Sequence, residues 1–295
     1  NTIDAQTQVY GVIGCPVVHS MSPAILNAAF GEIGYNAVYL PLRIEPNYAD
    51  FKAFVDGCIV RPWLDLRGAS VTIPHKENLL RYVAERNGDI EPLARRIGAA
   101  NTLCIEPGQR ENGSDARVSA FNTDYRGAMD ALCAGMETTP EDLKGGSVAV
   151  LGAGGAGRAI VAGLRDAGCA VTIYNRTADK ARRLADEFHA VARPWEQRND
   201  IEADVIINCT SIGMWPNVDE SPLPEPPRSD RVVVFDTVYN PIETRLLAEA
   251  RARGCRTIDG VSMFVNQAAA QFRQWTGGSA PLDAMRRIVL LRLPR

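Results

Sequence analysis

The chain has 295 residues, 46% of them hydrophobic and 23% charged, with 32 Lys+Arg against 35 Asp+Glu. That length suggests two domains, and the apolar content excludes disorder as the main state. No run approaches the ~18 apolar residues of a membrane span, and a net charge of −3 without Lys/Arg clusters excludes general nucleic-acid binding. Seven scattered cysteines with no CxxC pair, and three histidines, predict reduced thiols, no metal centre and a cytoplasmic protein. The sequence carries no signal-peptide pattern and starts at Asn1 instead of Met, which is read as a sign of processing or of excision from something longer.

In chain order, Val9–Ile13 predicts a strand. Ser22-Pro23 then opens a helix, with Ser as N-cap and Pro at the first helical position. Its buried stripe is Ile25, Leu26, Ala29, Phe30 and Ile33, and Gly34 ends it. Strands are expected at Ala37–Leu42 and Ala69–Ile73, and helices at Tyr48–Val55 and Lys76–Val83. Leu103–Ile105 and Val118–Phe121 read as a strand pair around the polar loop Pro107–Arg117, followed by a helix over Tyr125–Ala134. Next come a strand at Ser147–Leu151, a glycine-rich turn at Gly152–Gly157 and a helix over Arg158–Ala167. A strand at Val171–Tyr174 and a helix at Ala178–Phe188 follow. Val205–Cys209 and Val232–Phe235 are continuous apolar runs of the kind used in a parallel sheet covered on both faces. The Pro-rich loop Pro216–Pro227 separates them. Thr244–Ala252 predicts a helix, Thr257–Asp259 part of a short strand, and Val261–Trp275 and Leu282–Leu290 the last helices. This alternation predicts an α/β architecture with mainly parallel sheets. A break between its two stretches is expected near residues 126–146, where Glu137–Gly146 is polar and contains glycine.

Gly152, Gly154 and Gly157 form G-x-G-x-x-G directly between a strand and a helix. In that context the motif predicts a pyrophosphate site: a tight turn, close backbone approach around Gly154, Gly155 and Ala156, and a helix N-terminus facing the anion. Where an NAD site usually carries an acidic residue, the next strand ends in Asn175, Arg176 and Thr177, with Lys180 one helical turn later. Cations in place of a carboxylate predict NADP.

In the first stretch, Ser70–Lys76 runs off a strand into a helix, so Thr72 and Lys76 face the strand's carboxyl end, where α/β sheets bind ligands. Asn122-Thr123-Asp124 makes a similar step. A Lys76–Asp124 pair is either a proton-transfer pair or an ordinary salt bridge, and spacing alone leaves both open. Ser20 and Ser22 at the first helix start suit a carboxylate. Asn101 at a strand start, and Gln267 among helical alanines, are polar groups that need partners. His19 and His75 read as packing and hydrogen-bonding residues.

Together these segments resemble the shikimate dehydrogenase family across nearly the whole chain. The matches are GCPVVHSMSP (14–23), SVTIPHK (70–76), GAANT (98–102), FNTDYRG (121–127), VLGAGGAGRA (150–159), NRT (175–177), NCTSIGM (208–214), DTVYNP (236–241) and GVSMFVNQAAAQF (260–272). The resemblance implies an N-terminal α/β substrate domain, a Rossmann-like NADP-binding domain, and C-terminal helices that return to the first. The expected bounds are 1–126 with 260–295 for the substrate domain and 127–259 for the NADP domain. It implies NADP-dependent, reversible reduction of 3-dehydroshikimate to shikimate, in the pathway to the aromatic amino acids. Lys76 and Asp124 match the catalytic pair. Ser20 and Ser22 would bind the substrate carboxylate; Thr72, Asn101 and Gln267 the ring hydroxyls. Tyr239 would lie near the carboxylate or cofactor, Met263 near the nicotinamide, and Thr210, Ser211 and Gly213 beneath the nicotinamide ribose. Asn175, Arg176, Thr177 and Lys180 would recognise the 2′-phosphate end. Likeness in the C-terminal half to plant-type bifunctional enzymes raises the expectation of a fused dehydratase domain in the parent polypeptide. The competing readings are a quinate/shikimate dehydrogenase with mixed NAD/NADP use and a catalytically silent shikimate-binding sensor; a sensor has no need of Lys76 and Asp124.

Overall fold

The computed structural model describes residues 3–60, 64–108 and 116–293. Most of the expected loop Pro107–Arg117 therefore lies outside the described residues. The chain divides into two compact units, Asn1–Thr123 with Ala268–Leu291, and Asp124–Gln267 with Arg292–Arg295.

The first unit is built on a six-stranded sheet. Its strands are β1 (Gln8–Gly14), β2 (Ala37–Arg43), β3 (Leu66–Val71), β4 (Asp89–Ile90), β5 (Thr102–Glu106) and β6 (Arg117–Phe121), in the order β2-β1-β3-β5-β6-β4. The pairs β1/β2, β1/β3 and β4/β6 are parallel, whereas β5 runs antiparallel to both β3 and β6. The sheet is thus mixed: β5 is its one strand running against its neighbours among the described residues.

Alternation along the strands sends side chains to two cores. On one face Ile13, Leu103, Leu79 and Tyr82 pack with Phe51 and Val55, supplied by helices α2 (Tyr48–Ile59) and α3 (Lys76–Glu85). Asn47 caps α2 by accepting a hydrogen bond from the Asp50 N–H. On the other face Tyr10 meets Phe30 of α1 (Ser22–Glu32), and Phe30 meets Phe272 of α9 (Gly260–Thr276). The Trp275 indole N–H, near the end of α9, donates to the Leu103 carbonyl at 3.0 Å. The short helix α4 (Pro92–Ile97) begins on Pro92 and ends at Gly98, whose φ of 72° is the left-handed stop glycine favours. The last helix is α10 (Leu282–Arg292).

The second unit holds an all-parallel sheet of β7 (Ser147–Leu151), β8 (Ala170–Asn175), β9 (Val191–Pro194), β10 (Val205–Asn208), β11 (Val233–Asp236) and β12 (Arg256–Ile258). Its order, β12-β11-β10-β7-β8-β9, is doubly wound, with the reversal between β7 and β10. Helices α6 (Gly155–Asp166), α7 (Ala178–Phe188) and α8 (Arg245–Ala252) make the crossovers.

The bounds of the two units differ from the expected ones at two places. The divide falls between Thr123 and Asp124, just before the expected stretch, and residues 126–146 form most of α5 (Asp124–Met136) and its connector to β7, all in the second unit. Helix α5 is held there by close packing, since a Cβ on Gly163 would meet the Met129 side chain and one on Gly135 would meet Ile258. The first turns of α9 also belong to the second unit, so the divide falls after Gln267 and not at 260. A Cβ on Gly260 would strike the Val238 carbonyl at 2.5 Å, and one on Gly127 the Gln267 Cβ at 2.9 Å.

Candidate functional site

In the first unit, four sequence segments leave one edge of the sheet. Register pairs Ile13 at the end of β1 with Val71 at the end of β3. Ser70 pairs with Thr102 at the start of β5, and Thr102 pairs with Phe121 at the end of β6. Cys15–Ser22, Thr72–Lys76, Asn101 and Asn122–Thr123 therefore emerge side by side.

At the β1 end, the helix begins one residue earlier than expected. The Met21 carbonyl accepts from the Ala24 and Ile25 N–H groups, so Met21, not Ser22, is the N-cap. Ser22 is the first helical residue and makes no capping bond; its N–H donates to the Ser20 hydroxyl at 3.3 Å. The two serines thus share one helix start. Thr72 is held by its N–H to the Ile13 carbonyl and packs where Gly14 has no side chain: a Cβ there would lie 2.4 Å from the Thr72 methyl.

Lys76 opens α3, and its carbonyl accepts from the Ala100 N–H, tying that helix start to the segment carrying Asn101. His75 is fully buried. It stacks on Phe51, donates from Nε2 to the Ile44 carbonyl and accepts at Nδ1 from Asn78. A carbonyl only accepts, which fixes that tautomer. His75 is a packing residue, as read from the sequence, and His19 is exposed.

Asn101 is 3% exposed and deeply engaged: Nδ2 donates to the Thr123 hydroxyl, and Oδ1 accepts from the Thr123 N–H at 2.8 Å and from Thr102. This clamp fixes the residue before Asp124. Asp124 is buried at the first position of α5, in the second unit. Gln267, half-buried on α9, donates to the Phe264 carbonyl; Tyr239 stacks on Phe264 with ring centroids 3.9 Å apart, and Met263 is buried beside them in sequence.

The second unit repeats the logic at the carboxyl ends of β7, β8, β10 and β11. Gly152 leaves β7 with φ +108°, and a Cβ on Gly157 would lie 2.4 Å from the Gly152 carbonyl oxygen. Gly154, by contrast, faces open space. That division of labour fits a dinucleotide: two glycines serve the turn and the packing of α6, and one leaves backbone free for a pyrophosphate. Gly155 and Ala156 begin α6, which starts three residues before the expected Arg158. Asn175 braces the turn, accepting from the Ala153 N–H and donating to the Thr177 carbonyl. Arg176, Thr177 and Lys180 are exposed beyond it.

The loop after β10 hangs on a chain of hydrogen bonds rooted in the buried Asn208–Asp236 pair. Thr210 donates through both N–H and hydroxyl to Asn208 Oδ1, and its hydroxyl accepts from the Ile212 N–H. Asn208 Nδ2 donates to Asp236 Oδ1 at 2.9 Å. Gly213 closes the loop at φ +87°, with Ser211 exposed. Asp236 is fully buried, and burial pushes its carboxyl up to about 6 against the lowering effect of its three hydrogen bonds.

Family models match three stretches: the shikimate dehydrogenase substrate binding domain over residues 12–103, shikimate/quinate 5-dehydrogenase over 135–236, and the shikimate 5′-dehydrogenase C-terminal domain over 260–290. The shikimate dehydrogenase (NADP+) of Moorella thermoacetica is 39% identical over 97% of this chain and 94% of its own. The chain belongs to the shikimate dehydrogenase family. Among solved family structures, one in complex with NADP+ aligns with a TM-score of 0.86 and 34% identity, covering 100% of this chain and 98% of that one. The Thermus thermophilus enzyme in complex with NADP(H) and shikimate aligns at 0.79 and 34%, covering 97% and 100%.

Within this family site, sequence reasoning missed two kinds of residue. Gln271, 1% exposed, accepts from Ser70 and donates to the Asn101 carbonyl and the Thr102 hydroxyl. Its signal was available: it lies one turn beyond Gln267 on the same helix face. Asn208, Asp236 and Thr244 were the second kind. For Asn208 and Asp236 the signal was a polar residue closing a continuous apolar strand; Thr244 is the N-cap of α8.

Proposed function

We propose that this chain catalyses the NADP-dependent, reversible reduction of 3-dehydroshikimate to shikimate, with the first unit holding the acid and the second the cofactor. The observation that carries this reading is that the expected substrate segments from Cys15 to Thr123 share one edge of the first sheet. All seven cysteines are free thiols, which supports a reducing, cytoplasmic setting. Among the described residues no helix is long and apolar enough to cross a membrane.

In this reading the bound NADPH supplies the hydride. Gly152–Gly157 would hold its pyrophosphate against the start of α6. Arg176 and Lys180 would neutralise the 2′-phosphate, with Thr177 beside them and Asn175 as the brace. Thr210, Ser211 and Gly213 would line the nicotinamide ribose, and Met263 the nicotinamide. Ser20 and Ser22 would hold the acid's carboxylate through their hydroxyls; Thr72, Asn101 and Gln267 would hold ring hydroxyls, and Tyr239 would lie near the carboxylate or the cofactor. Lys76 Nζ donates a proton to the ketone oxygen as negative charge builds there. In the oxidative direction the neutral amine takes that proton back. Asp124 orients the ammonium and balances its charge.

Incubating the purified chain with shikimate and NADP tests the reading directly. Mass spectrometry should find an acid lighter by two hydrogens and an equal amount of NADPH. Shikimate recovered unchanged at high enzyme concentration would refute it.

A further inference from the structure

The mechanism above uses neither Asp236 nor the α8 cap, yet both are tied to the loop that carries Thr210. Asp236 Oδ1 accepts from Asn208 Nδ2 at 2.9 Å and from the Val238 N–H at 3.0 Å, while Oδ2 accepts from the Thr244 hydroxyl at 2.7 Å. Thr244 is the N-cap of α8, accepting from the Leu247 N–H. Asn208 and Asp236 are register partners at the ends of β10 and β11, so one carboxylate links two strand ends and a helix start. From there the chain of bonds runs outward through Asn208 to Thr210 and Ile212.

We propose that Asp236 is a positioning residue for the nicotinamide half of the cofactor, acting through Asn208 on the Thr210–Gly213 loop. This rests on the reading that the second unit binds NADP. Three donors converge on the two carboxylate oxygens, and only a carboxylate accepts at both. An asparagine there must turn its amide NH2 either to the two N–H donors at one oxygen or to the Thr244 hydroxyl, which would then have to accept where it now donates. A buried carboxylate opposes folding by its desolvation, which argues that its place in this chain is not explained by stability alone. Cys209, the next residue after Asn208, is a titratable neighbour, and burial, with a smaller contribution from the carboxylate, holds its thiol protonated.

The test compares two ligands of the second unit. NADPH spans the whole cofactor site, whereas adenosine 2′,5′-bisphosphate occupies only the end recognised by Arg176 and Lys180. Titration of Asp236→Asn should raise the NADPH dissociation constant about tenfold and leave that of adenosine 2′,5′-bisphosphate within twofold. Thr210→Val, a half-buried change at the far end of the same chain of bonds, should act in the same direction and keeps the test open if Asp236→Asn folds poorly. Val234→Ala, a cavity elsewhere in β11, should leave the ratio of the two constants unchanged. If both variants bind NADPH as the wild type does, or weaken both ligands alike, the inference is overturned while the cofactor reading survives. If the wild type binds neither ligand, the reading falls and the inference with it.

Discussion

Replacing Lys76 with Ala should cost 10²–10⁴-fold in kcat, the usual contribution of a positioned proton donor. Shikimate KM should change less and NADPH binding should persist, since Lys76 lies outside the nucleotide turn; near-normal kcat at every pH would make it a binding residue only. Arg176→Ala should raise the KM for NADP and leave that for NAD little changed, because a guanidinium holds a phosphate through charge-assisted paired bonds. An unchanged preference for NADP would transfer that role to Lys180. Asp236 gives a pH signature. Its carboxyl is raised from 3.8 to about 6 in the folded state, so the folded chain holds the proton longer than the unfolded one. Its contribution to stability is full below pH 4 and is lost as pH rises through 6. The loss is on the order of 3 kcal/mol, because each tenfold difference in proton affinity is worth about 1.4 kcal/mol. Denaturant titrations should show that decline in the wild type and its absence in Asp236→Asn. These roles differ in how visible they are beforehand. Lys76 and Arg176 stand at strand or helix ends in recognisable strings. Asp236 also closes an apolar strand in such a string, but its linking role shows only through its partners at the end of β10 and at the N-cap of α8.

At the scale of elements, periodicity carried most of the architecture. What it could not convey was β9, four residues ending in proline on a largely exposed edge, or α4, whose Pro92 and Gly98 are proper start and stop signals around only six residues. The start of α1 moved because backbone closure from Met21 won over the side-chain preference of Ser22. Helix α9 is the element that most rewards perturbation. Phe272 is fully buried against Phe30, so Phe272→Ala should cost about 3–5 kcal/mol as a cavity. Calorimetry should register this as a lower Tm. Gly157→Ala should impair NADPH binding, because its Cβ must displace the Gly152 carbonyl and so distort the turn. A Gly157→Ala protein with unaltered NADPH affinity would show that the turn tolerates the displacement.

At the scale of the whole molecule, two sheets each gather their working segments at one edge. In the first the order is mixed; in the second it is doubly wound, with the glycine turn at the reversal. Strand–helix alternation made the two-sheet plan legible, and the return of the C-terminal chain came from the family likeness, since nothing local in Ala268–Leu291 announces its partner sheet. The central claim is a choice of acid and cofactor together. Quinate carries an extra hydroxyl at C1, and leaving such a group without a partner costs about 1–3 kcal/mol. The decisive measurement is kcat/KM for shikimate and quinate, each with NADP and with NAD, followed by reduced-cofactor formation. The predicted result is shikimate with NADP ahead of each other combination by roughly tenfold or more; comparable values for the two acids, or a preference for NAD, would contradict the account.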